Sequence, residues 1–413
     1  MSTTPTTPAA PPARRVAGRA FHVMTKPTGA ICNLDCTYCF YLAKEELFPG
    51  SEFRMSDEVL EAYVAGLLAA HRGLPEVVVA FQGGEPTMMG LDFFRRVLEI
   101  ERRHAQPGQQ ILNTLQTNAT LIDDTWARFL ADEGFLVGVS VDGPREMHDA
   151  YRVDKGGKPT FDRVMRGLDA LHRAGAEWNA LTTVHHANEE HGAPVYRFLR
   201  DDLGARFIQL IPIVERQGTH VSTASVSPRG YGQFLVGVFD EWIRSDVGTV
   251  YVQSFDSALA SWLGMPEAGV CVHAETCGRA VALEHNGNVY SCDHYVEPEH
   301  LIGNLADGRT LLQIVDSPQQ QAFGLAKRDS LPQYCRDCSV RFACNGGCPK
   351  DRFARTPDGE SGLHYLCPSY QLFFAHVDRP MRVMADLLRR DEPPSQVMAW
   401  YARRHGSGGP AER

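Results

Sequence analysis

Along the first half of the chain, the periodicity of apolar and polar positions alternates between that of a strand and that of a helix. Apolar runs of strand length are followed by amphipathic runs of helix length, and this pair recurs about six times over residues 21–214. One helix is predicted to begin after Ser56, a favourable N-cap, with Asp57 and Glu58 in its first turn. Such alternation is typical of a parallel α/β barrel or of a doubly wound sheet. Strands are predicted over residues 21–26, 76–82, 109–118, 135–143, 178–186 and 206–214, and helices over residues 57–71, 91–104, 123–134, 161–175 and 194–204.

Polar and glycine-rich segments stand where predicted strands end. They cover residues 82–86, 116–118, 140–144 and 185–186. In parallel α/β folds the carboxyl ends of the strands lie at one edge, and the reacting groups gather there. The sequence therefore predicts a functional site at this edge.

The alternation fades after about residue 215. Residues 228–264 are predicted to be helical, with an amphipathic stretch over 231–243, and the chain becomes rich in cysteine, glycine and turns from Cys271. A last helix is predicted over 370–390. We expect a disordered leader over 1–20, an α/β domain over 21–265, a cysteine-rich domain over 266–375, and a C-terminal helix with a disordered tail over 376–413.

Composition and charge are ordinary for a globular protein of 413 residues, with 43% hydrophobic side chains and a net charge of −9. The acidic balance, without a long block of like charge, argues against nucleic acid as the main partner. No run of about 18 apolar residues occurs, and the leader lacks the apolar core of a signal peptide. We therefore expect no membrane partner and a cytoplasmic location, and the prolines of the leader favour disorder over a transit peptide.

Three cysteines, Cys32, Cys36 and Cys39, follow the first predicted strand with the spacing CxxxCxxC. Three thiolates on a short loop hold three corners of a four-iron cluster, which leaves one iron open to a small molecule. Zinc sites usually have four ligands and CxxC pairs, so zinc is the weaker interpretation. A chance cluster of buried cysteines is the remaining alternative. The loop thus predicts an enzyme that generates radicals.

The other eight of the 11 cysteines lie in the second half of the chain. Four of them form the run CxxCxxxxxCxxxC, and eight thiolates divide into two sets of four, which suits closed clusters for structure or electron transfer. Zinc ribbons compete with this interpretation because CxxC pairs bind zinc well. The iron–sulfur loop near the start of the chain favours clusters here too. These cysteines are Cys271, Cys277, Cys292, Cys335, Cys338, Cys344, Cys348 and Cys367.

Several segments resemble one group of enzymes, in the same order across roughly residues 21–375. CNLDCTYC resembles the cluster loop of the radical S-adenosylmethionine (SAM) superfamily, and GGEP resembles its methionine-binding segment. The spacing of the later cysteines resembles the SPASM auxiliary-cluster domain. More narrowly, CTYCFYL, FQGGEPT, LQTNATLID, FLVGVSVDGP and CDHYV resemble the anaerobic sulfatase-maturating enzymes. Ala119 departs from their pattern, in which glycine is common.

The resemblance implies a partial (β/α)6 radical SAM barrel followed by a SPASM domain with two auxiliary clusters. Together with the cluster on Cys32, Cys36 and Cys39, this makes three 4Fe–4S clusters, and SAM binds the open iron of the first. The implied SAM contacts are Gly83, Gly84 and Glu85 at the amino group, Ser140 and Arg152 at the carboxylate, and Asp142 at the ribose, although Asp142 also fits a simple turn.

By the same resemblance, the later cysteines form two interleaved ligand sets, and Asp293 is the general base that takes the proton of the target hydroxyl or thiol. A turn residue accepting backbone hydrogen bonds is the alternative for Asp293. Tyr41 and Gln82 are implied to line the substrate pocket, although Tyr41 also fits a packing role. The first set is Cys271, Cys277, Cys292 and Cys348, and the second is Cys335, Cys338, Cys344 and Cys367.

The implied reaction begins when one electron cleaves SAM to methionine and a 5′-deoxyadenosyl radical. The radical takes a hydrogen from Cβ of a Cys or Ser in an unfolded sulfatase peptide. A second electron leaves through the auxiliary clusters, and the product is formylglycine. The implied partners are the peptide and an electron donor such as flavodoxin or ferredoxin.

Two other functions compete with sulfatase maturation. A SPASM enzyme of another subfamily forms thioether or carbon–carbon links, or epimers, in a ribosomal precursor peptide. A non-catalytic scaffold bearing zinc or clusters predicts no SAM cleavage. The intact GGEP segment and the three-cysteine loop weigh against the scaffold. Residues 215–270 match the family only loosely, so substrate identity is the least determined prediction.

Overall fold

The computed structural model describes residues 20–218, 220–265 and 269–405, so residues 1–19 of the predicted leader and residues 406–413 of the predicted tail lie outside the described residues. Where the tail is described, the prediction of disorder is wrong, because Val397–His405 form a helix. The first half alternates strands and helices, as predicted. Ser56 accepts a hydrogen bond from the Val59 N–H and caps the first helix, which begins at the predicted residue. These elements are β1 (His22–Lys26), α1 (Asp57–Ala70), β2 (Glu76–Phe81), α2 (Leu91–His104), β3 (Gln110–Thr117), α3 (Asp124–Asp132), β4 (Leu136–Ser140), α4 (Arg145–Asp149), α5 (Phe161–Ala174), β5 (Trp178–Val184), α6 (Gly192–Arg197) and β6 (Phe207–Pro212).

The strand order decides between the two folds that the pattern allowed. Strands β1 to β6 lie side by side in chain order, and each pairs in parallel with the next. A doubly wound sheet reverses its order at a switch point, whereas this winding continues in one direction. Right-handed crossovers then place the connecting helices on one face, and the other face lines a lumen. The predicted partial barrel is confirmed.

The second half of the chain packs helices against the end of this sheet. The amphipathic stretch predicted at 231–243 lies in a helix over Gly230–Ser245 with a buried apolar face. This helix packs on a long helix over Cys367–Arg389, and a Cβ at Gly232 would lie 2.5 Å from the Ser369 carbonyl oxygen. Glycine therefore permits their close approach. The remaining elements are β7 (Arg216–Gln217), β8 (His220–Val221), α7 (Gly230–Ser245), β9 (Tyr251–Val252), α8 (Gln253–Trp262), β10 (Ala280–Glu284), β11 (Asn288–Tyr290), β12 (Leu301–Asn304), α9 (Leu311–Val315), α10 (Pro318–Asp329), α11 (Gln333–Arg336), α12 (Arg341–Cys344), β13 (Ala354–Arg355), β14 (Ser361–Leu363), α13 (Cys367–Arg389) and α14 (Val397–His405).

The cysteine-rich segment extends the barrel sheet beyond its first strand. Strand β10 pairs in parallel with β1, and Lys26 stands directly opposite Glu284. Strands β11 and β12 continue from β10 in antiparallel fashion, and β9 joins the other edge beside β6, which completes a sheet of ten strands. Backbone hydrogen bonds thus join the cysteine-rich segment to the strand that leads into the first cysteine loop.

No helix within the described ranges, the 23-residue α13 included, combines the length and apolar composition needed to cross a membrane. The apolar side chains of α13 instead pack in the hydrophobic core. Phe373, Phe374 and Val377 are buried there, with the Phe373 ring near Phe239 of α7 and the Phe374 ring near Trp262 of α8.

Glu101 is a buried carboxyl in the outer layer of the barrel. It is 5% exposed on α2, and its Oε2 accepts a hydrogen bond of 3.1 Å from the Asn113 amide on β3. Burial raises the pKa of Glu101 to about 7, above the ordinary value of 4.5. The folded state therefore holds this proton more tightly than the unfolded state, and its stability falls as the pH rises from about 4.5 to about 7.

Replacing Glu101 by Gln is expected to raise the free energy of unfolding at pH 8 by about 1–3 kcal/mol, because the neutral amide removes the cost of a buried charge. The gain should be smaller at pH 5.5, where the wild-type carboxyl is largely protonated. Denaturant unfolding of both proteins at the two pH values measures it. An equal gain at both values would contradict the account.

Candidate active site

Cys32, Cys36 and Cys39 lie in the loop that follows β1, at the carboxyl edge of the sheet. Backbone N–H groups of this loop donate to the carbonyl groups of residues 151 and 153, which fixes it across the barrel opening. Burial raises the pKa of Cys32 to about 12 and that of Cys39 to about 11, and both lie close enough to Cys36 to feel its charge. Three converging thiols that resist ionisation suit a group whose positive charge stabilises thiolates, as iron does.

Gly83 and Gly84 allow the loop after β2 to pack closely against the cysteine loop. The Gly84 N–H donates to the Gly29 carbonyl at 2.9 Å, and the Glu85 N–H donates to the Ile31 carbonyl at 3.0 Å. A Cβ at Gly84 would lie only 1.9 Å from the Ile31 oxygen, and Gly83 has a φ of +107°. Both positions therefore need glycine, one for space and one for backbone conformation. The two backbone hydrogen bonds hold the start of the cysteine loop in place.

Glu85 is fully buried behind the cysteine loop. Its Oε1 accepts hydrogen bonds from the Thr87 hydroxyl at 2.6 Å and the Thr117 hydroxyl at 2.7 Å, and its Oε2 accepts one from the Asn118 N–H at 2.8 Å. Burial raises the pKa of Glu85 despite these donors, and the carboxyl lies close enough to Cys32 to raise the pKa of that thiol. Glu85 thus ties the ends of β2 and β3 to the first cysteine.

Ser140 ends β4 inside the lumen, where its hydroxyl accepts a hydrogen bond of 3.1 Å from the Gln116 amide. Next to it, the Asn118 amide donates to Cys32 Sγ at 3.6 Å and to Asn33 Oδ1 at 2.8 Å. Two of the polar strand ends predicted from the sequence, those of β2 and β3, therefore lie beside the first cysteine. Ala119 has a φ of +58°, the left-handed conformation that explains why glycine is common there.

Asp142 and Arg152 form a buried ion pair under the cysteine loop. The Arg152 guanidinium donates to Asp142 at 2.8 and 3.1 Å, and the Tyr38 hydroxyl donates to the same carboxylate at 2.6 Å. Burial opposes the charge, but Arg152 holds the pKa of Asp142 below its usual value. The structure brings these two residues together, with both carboxylate oxygens engaged by protein groups. Their ribose and carboxylate contacts with SAM remain predictions.

Asp293 lies directly after Cys292, in a corner between the cysteine loop and β10. Its Oδ2 accepts a hydrogen bond of 2.6 Å from the Tyr41 hydroxyl, and its Oδ1 lies 2.6 Å from Lys26 Nζ. Lys26 is also 3.1 Å from Glu284. Burial would raise the pKa of Asp293, but Lys26 holds that pKa below its usual value, so the carboxylate is ionised, which is the state in which it can accept a proton.

Tyr41 and Gln82 lie half-buried at the same edge of the sheet. The Gln82 N–H donates to the Thr25 carbonyl at 2.8 Å, so its side chain is held just past the end of β2. The Tyr41 ring lies against Phe40, with 4.1 Å between the ring centroids. Partial exposure beside Asp293 fits the predicted role in a substrate pocket, which stays a prediction.

The remaining cysteines form two groups in the folded chain. Burial raises the pKa of Cys344 and of Cys348 to about 12, and the cysteines that raise them further belong to different sets. Among the described residues, no three Cys, His, Asp or Glu side chains are gathered tightly enough for a single metal ion. A small cavity is lined by the thiols of the second set. One group is Cys271, Cys277, Cys292 and Cys348, and the other is Cys335, Cys338, Cys344 and Cys367.

A four-thiol cavity fits a closed iron–sulfur cluster, and the raised pKa of three of these thiols fits ligands that ionise only with a bound cation. Arg352 holds the loop that separates Cys344 from Cys348. Its guanidinium donates to the carbonyls of Gly346 at 2.9 Å and of Asn345 at 3.0 Å. Cys344, before this loop, belongs to the second group, and Cys348, after it, belongs to the first.

Replacing Arg352 by Ala is expected to lower the iron content per chain, because the loop loses hydrogen bonds from a charged donor, each contributing about 1.5–3 kcal/mol. The measurement is iron and sulfide per chain after anaerobic reconstitution. Arg355→Ala is the control, since Arg355 is exposed and bonds only the Gly359 carbonyl of a hairpin. Wild-type iron in both variants would contradict the assigned role of Arg352.

Two residues of this site carry no motif. Lys26 and Glu284 become partners of a predicted site residue and of each other only after folding. The one signal in the sequence is a lysine that ends the first predicted strand directly before the cysteine loop. A charge at a buried strand end needs a partner, which makes such a residue a candidate.

Comparison with known proteins agrees with the motifs. Residues 27–199 match the radical SAM superfamily, and residues 271–339 match the SPASM iron–sulfur cluster-binding domain. The chain is 42% identical to the serine-type anaerobic sulfatase-maturating enzyme of Bacteroides thetaiotaomicron, over 92% of this chain and 95% of that protein. It is 34% identical to the cysteine-type enzyme of Clostridium perfringens, over 86% and 95% respectively.

A solved structure supports the same relationship. It is described as native anSMEcpe with bound AdoMet and Cp18Cys peptide, and it superposes on this chain with a TM-score of 0.80. The two are 33% identical, over 90% of this chain and 100% of the other. The predictions of a radical SAM barrel, a SPASM domain and the narrower family resemblance are confirmed.

Proposed function

Since the chain belongs to the anaerobic sulfatase-maturating enzymes, within the radical SAM superfamily, we propose that it oxidises a Ser or Cys of a sulfatase peptide to formylglycine. The observation that carries this proposal is the position of Asp293. Its ionised carboxylate lies beside a cysteine of the first auxiliary group and is bonded to Tyr41 of the cysteine loop. A base at that point lies between the site of the SAM-binding cluster and the site of the first auxiliary cluster.

The two halves of the chain supply the parts of this oxidation. Cys32, Cys36 and Cys39 would hold the cluster that, when loaded with SAM and reduced, supplies a 5′-deoxyadenosyl radical able to take a hydrogen atom from Cβ. Gly83, Gly84 and Glu85 hold the cysteine loop in place and line its inner side. Ser140 and Gln116 present polar groups in the lumen nearby.

Asp293 completes the balance of the reaction. Converting Cβ–OH to an aldehyde removes one hydrogen atom from carbon, one proton from oxygen and one electron. Asp293 takes the proton of the hydroxyl or thiol, and Tyr41 holds the carboxylate that receives it. The eight later cysteines would hold the two clusters that accept the electron. For a Cys target, water replaces sulfur after the oxidation, and sulfide leaves.

We also propose a cytoplasmic location and a low-potential electron donor such as flavodoxin or ferredoxin. Two observations support this. None of the 11 cysteines is paired in a disulfide, which is usual in a reducing compartment. Reductive cleavage of SAM also consumes an electron that the chain itself does not supply. The substrate is expected to be unfolded, since a peptide must reach a half-buried pocket.

The test is an anaerobic assay of the whole enzyme. Reconstituted protein, reductant and SAM are mixed with a peptide carrying the sulfatase motif, in separate Ser, Cys and Ala versions, and each peptide is weighed by mass spectrometry. The Ser peptide should become lighter by two hydrogen atoms, the Cys peptide should become the same aldehyde, and the Ala peptide should stay unchanged. Abundant 5′-deoxyadenosine with three unaltered peptides would favour a maturase of ribosomal precursor peptides instead.

A further inference from the structure

Lys26 is a buried lysine between two carboxylates. Its side chain is 1% exposed, and its ammonium lies 2.6 Å from Asp293 Oδ1 and 3.1 Å from Glu284 Oε1. The same ammonium stands 4.9 Å from the centre of the Tyr41 ring. Desolvating an ammonium this fully is costly unless opposite charges surround it. The three charges and the tyrosine therefore act as one buried group.

The strand register builds this group. Lys26 and Glu284 are direct partners across the parallel pair β1–β10, so their backbones fix the distance between the two side chains. Glu284 accepts a hydrogen bond from Lys26 through Oε1, whereas its Oε2 lies 3.5 Å from His285 Nδ1 without hydrogen-bond geometry. The His285 ring is itself held by the Ser51 hydroxyl, 2.6 Å from its Nε2. Asp293, in contrast, lies outside the strands, in a short turn after Cys292.

We propose that Lys26, braced by Glu284, is a positioning residue that fixes the Asp293 carboxylate for proton transfer from the substrate. This inference rests on the proposed function and adds two residues to it. A general base works only within hydrogen-bond reach of the proton that it takes, and a displacement of about 1 Å can cost about 100-fold in rate. Without the ammonium, Asp293 keeps one side-chain donor, the Tyr41 hydroxyl, and its carboxylate gains freedom to rotate.

The group also explains why two carboxylates share one ammonium. Glu284 holds Lys26 from the strand side, so the ammonium cannot follow Asp293 when that side chain moves. The contact with Asp293 is the shorter of the two, and the contact with Glu284 is the one that has hydrogen-bond geometry. A lysine that only balanced the charge of Asp293 would not need a second, fully buried carboxylate as its direct strand partner.

The experiment compares Lys26→Met, Lys26→Arg and Glu284→Gln with wild type in the anaerobic peptide assay. Formylglycine formed per 5′-deoxyadenosine, kcat and peptide KM are measured, together with iron content and thermal unfolding. Lys26→Met should lower kcat and the product ratio by about 10- to 100-fold with a much smaller change in KM, because the base is misplaced and peptide binding is not. Lys26→Arg should restore part of the ratio, and Glu284→Gln should lower it by a smaller factor.

Lys44→Met is the matched control. Lys44 lies in the same region, but its ammonium contacts the Val296 carbonyl and not a carboxylate. A wild-type product ratio in folded, iron-loaded Lys26→Met would overturn the inference. If Lys26→Met does not fold, a wild-type ratio in Glu284→Gln overturns the bracing role, and a lowered ratio supports it. Failure of the wild-type enzyme to convert the peptide would instead contradict the proposed function.

Discussion

Replacing Asp293 by Asn is expected to lower formylglycine formation by about 100-fold or more, because a positioned base contributes about 10²- to 10⁴-fold to proton transfer. The amide has the same shape and can still accept the Tyr41 hydrogen bond, but it cannot take a proton. SAM cleavage should continue, since the cysteine loop and the glycine-rich loop are untouched. Product and 5′-deoxyadenosine are therefore measured in the same samples, and their ratio should fall.

The control for this variant is Asp351→Asn. Asp351 is also a mostly buried carboxylate close to an auxiliary cysteine, paired with Lys350 at 2.8 Å, but it does not contact Tyr41 or Lys26. Loss of product in both variants would indicate general damage to the auxiliary segment. Undiminished product in Asp293→Asn would contradict the assignment of this residue as the base.

Replacing Gly84 by Ala is expected to lower SAM cleavage itself by about 100-fold or more. The added Cβ would lie 1.9 Å from the Ile31 oxygen and 2.4 Å from its carbonyl carbon, and both are backbone atoms. Relief requires a shift of about 1 Å or more between the glycine-rich loop and the cysteine loop, and such a shift at a reacting centre costs about 100-fold. The rate of 5′-deoxyadenosine formation without peptide measures it.

Gly66→Ala is the matched control, because Gly66 lies within α1 and a Cβ there makes an ordinary contact of 3.6 Å with Leu311. Alanine also favours the helix. SAM binding is monitored through its effect on the spectrum of the reduced cluster. It should weaken in Gly84→Ala and stay unchanged in Gly66→Ala. Wild-type SAM cleavage in Gly84→Ala would show that the two loops need not pack as closely as described.

Local features of this fold were predictable because they depend on neighbours in the sequence. The strands, the helices and the Ser56 cap follow from periodicity and short-range chemistry. Periodicity alone did not decide between barrel and doubly wound sheet, since both have the same alternation and differ only in strand order; the barrel was predicted from the family resemblance. The pairing of β10 with β1 carried no local signal either, and it places a strand of the cysteine-rich segment within the barrel sheet.

The site residues also fall into those that the sequence predicts and those that only the folded chain brings together. The cysteines and the glycine-rich segment were recognisable because their chemistry requires fixed residue types at fixed spacing. The Asp142–Arg152 pair was expected as two separate ligand contacts, and only the folded chain shows that the two side chains bond each other. Lys26 and Glu284 are separated by 258 residues, so no motif can contain both. Their pairing follows from strand register alone.

The central claim is that a radical made at the cysteine loop removes hydrogen from Cβ while Asp293 takes the proton. A sulfatase peptide with two deuterium atoms on Cβ of the target Ser tests it most directly. The account predicts one deuterium in the 5′-deoxyadenosine and one retained in the aldehyde of the product. An aldehyde formed beside 5′-deoxyadenosine that carries no deuterium would contradict it.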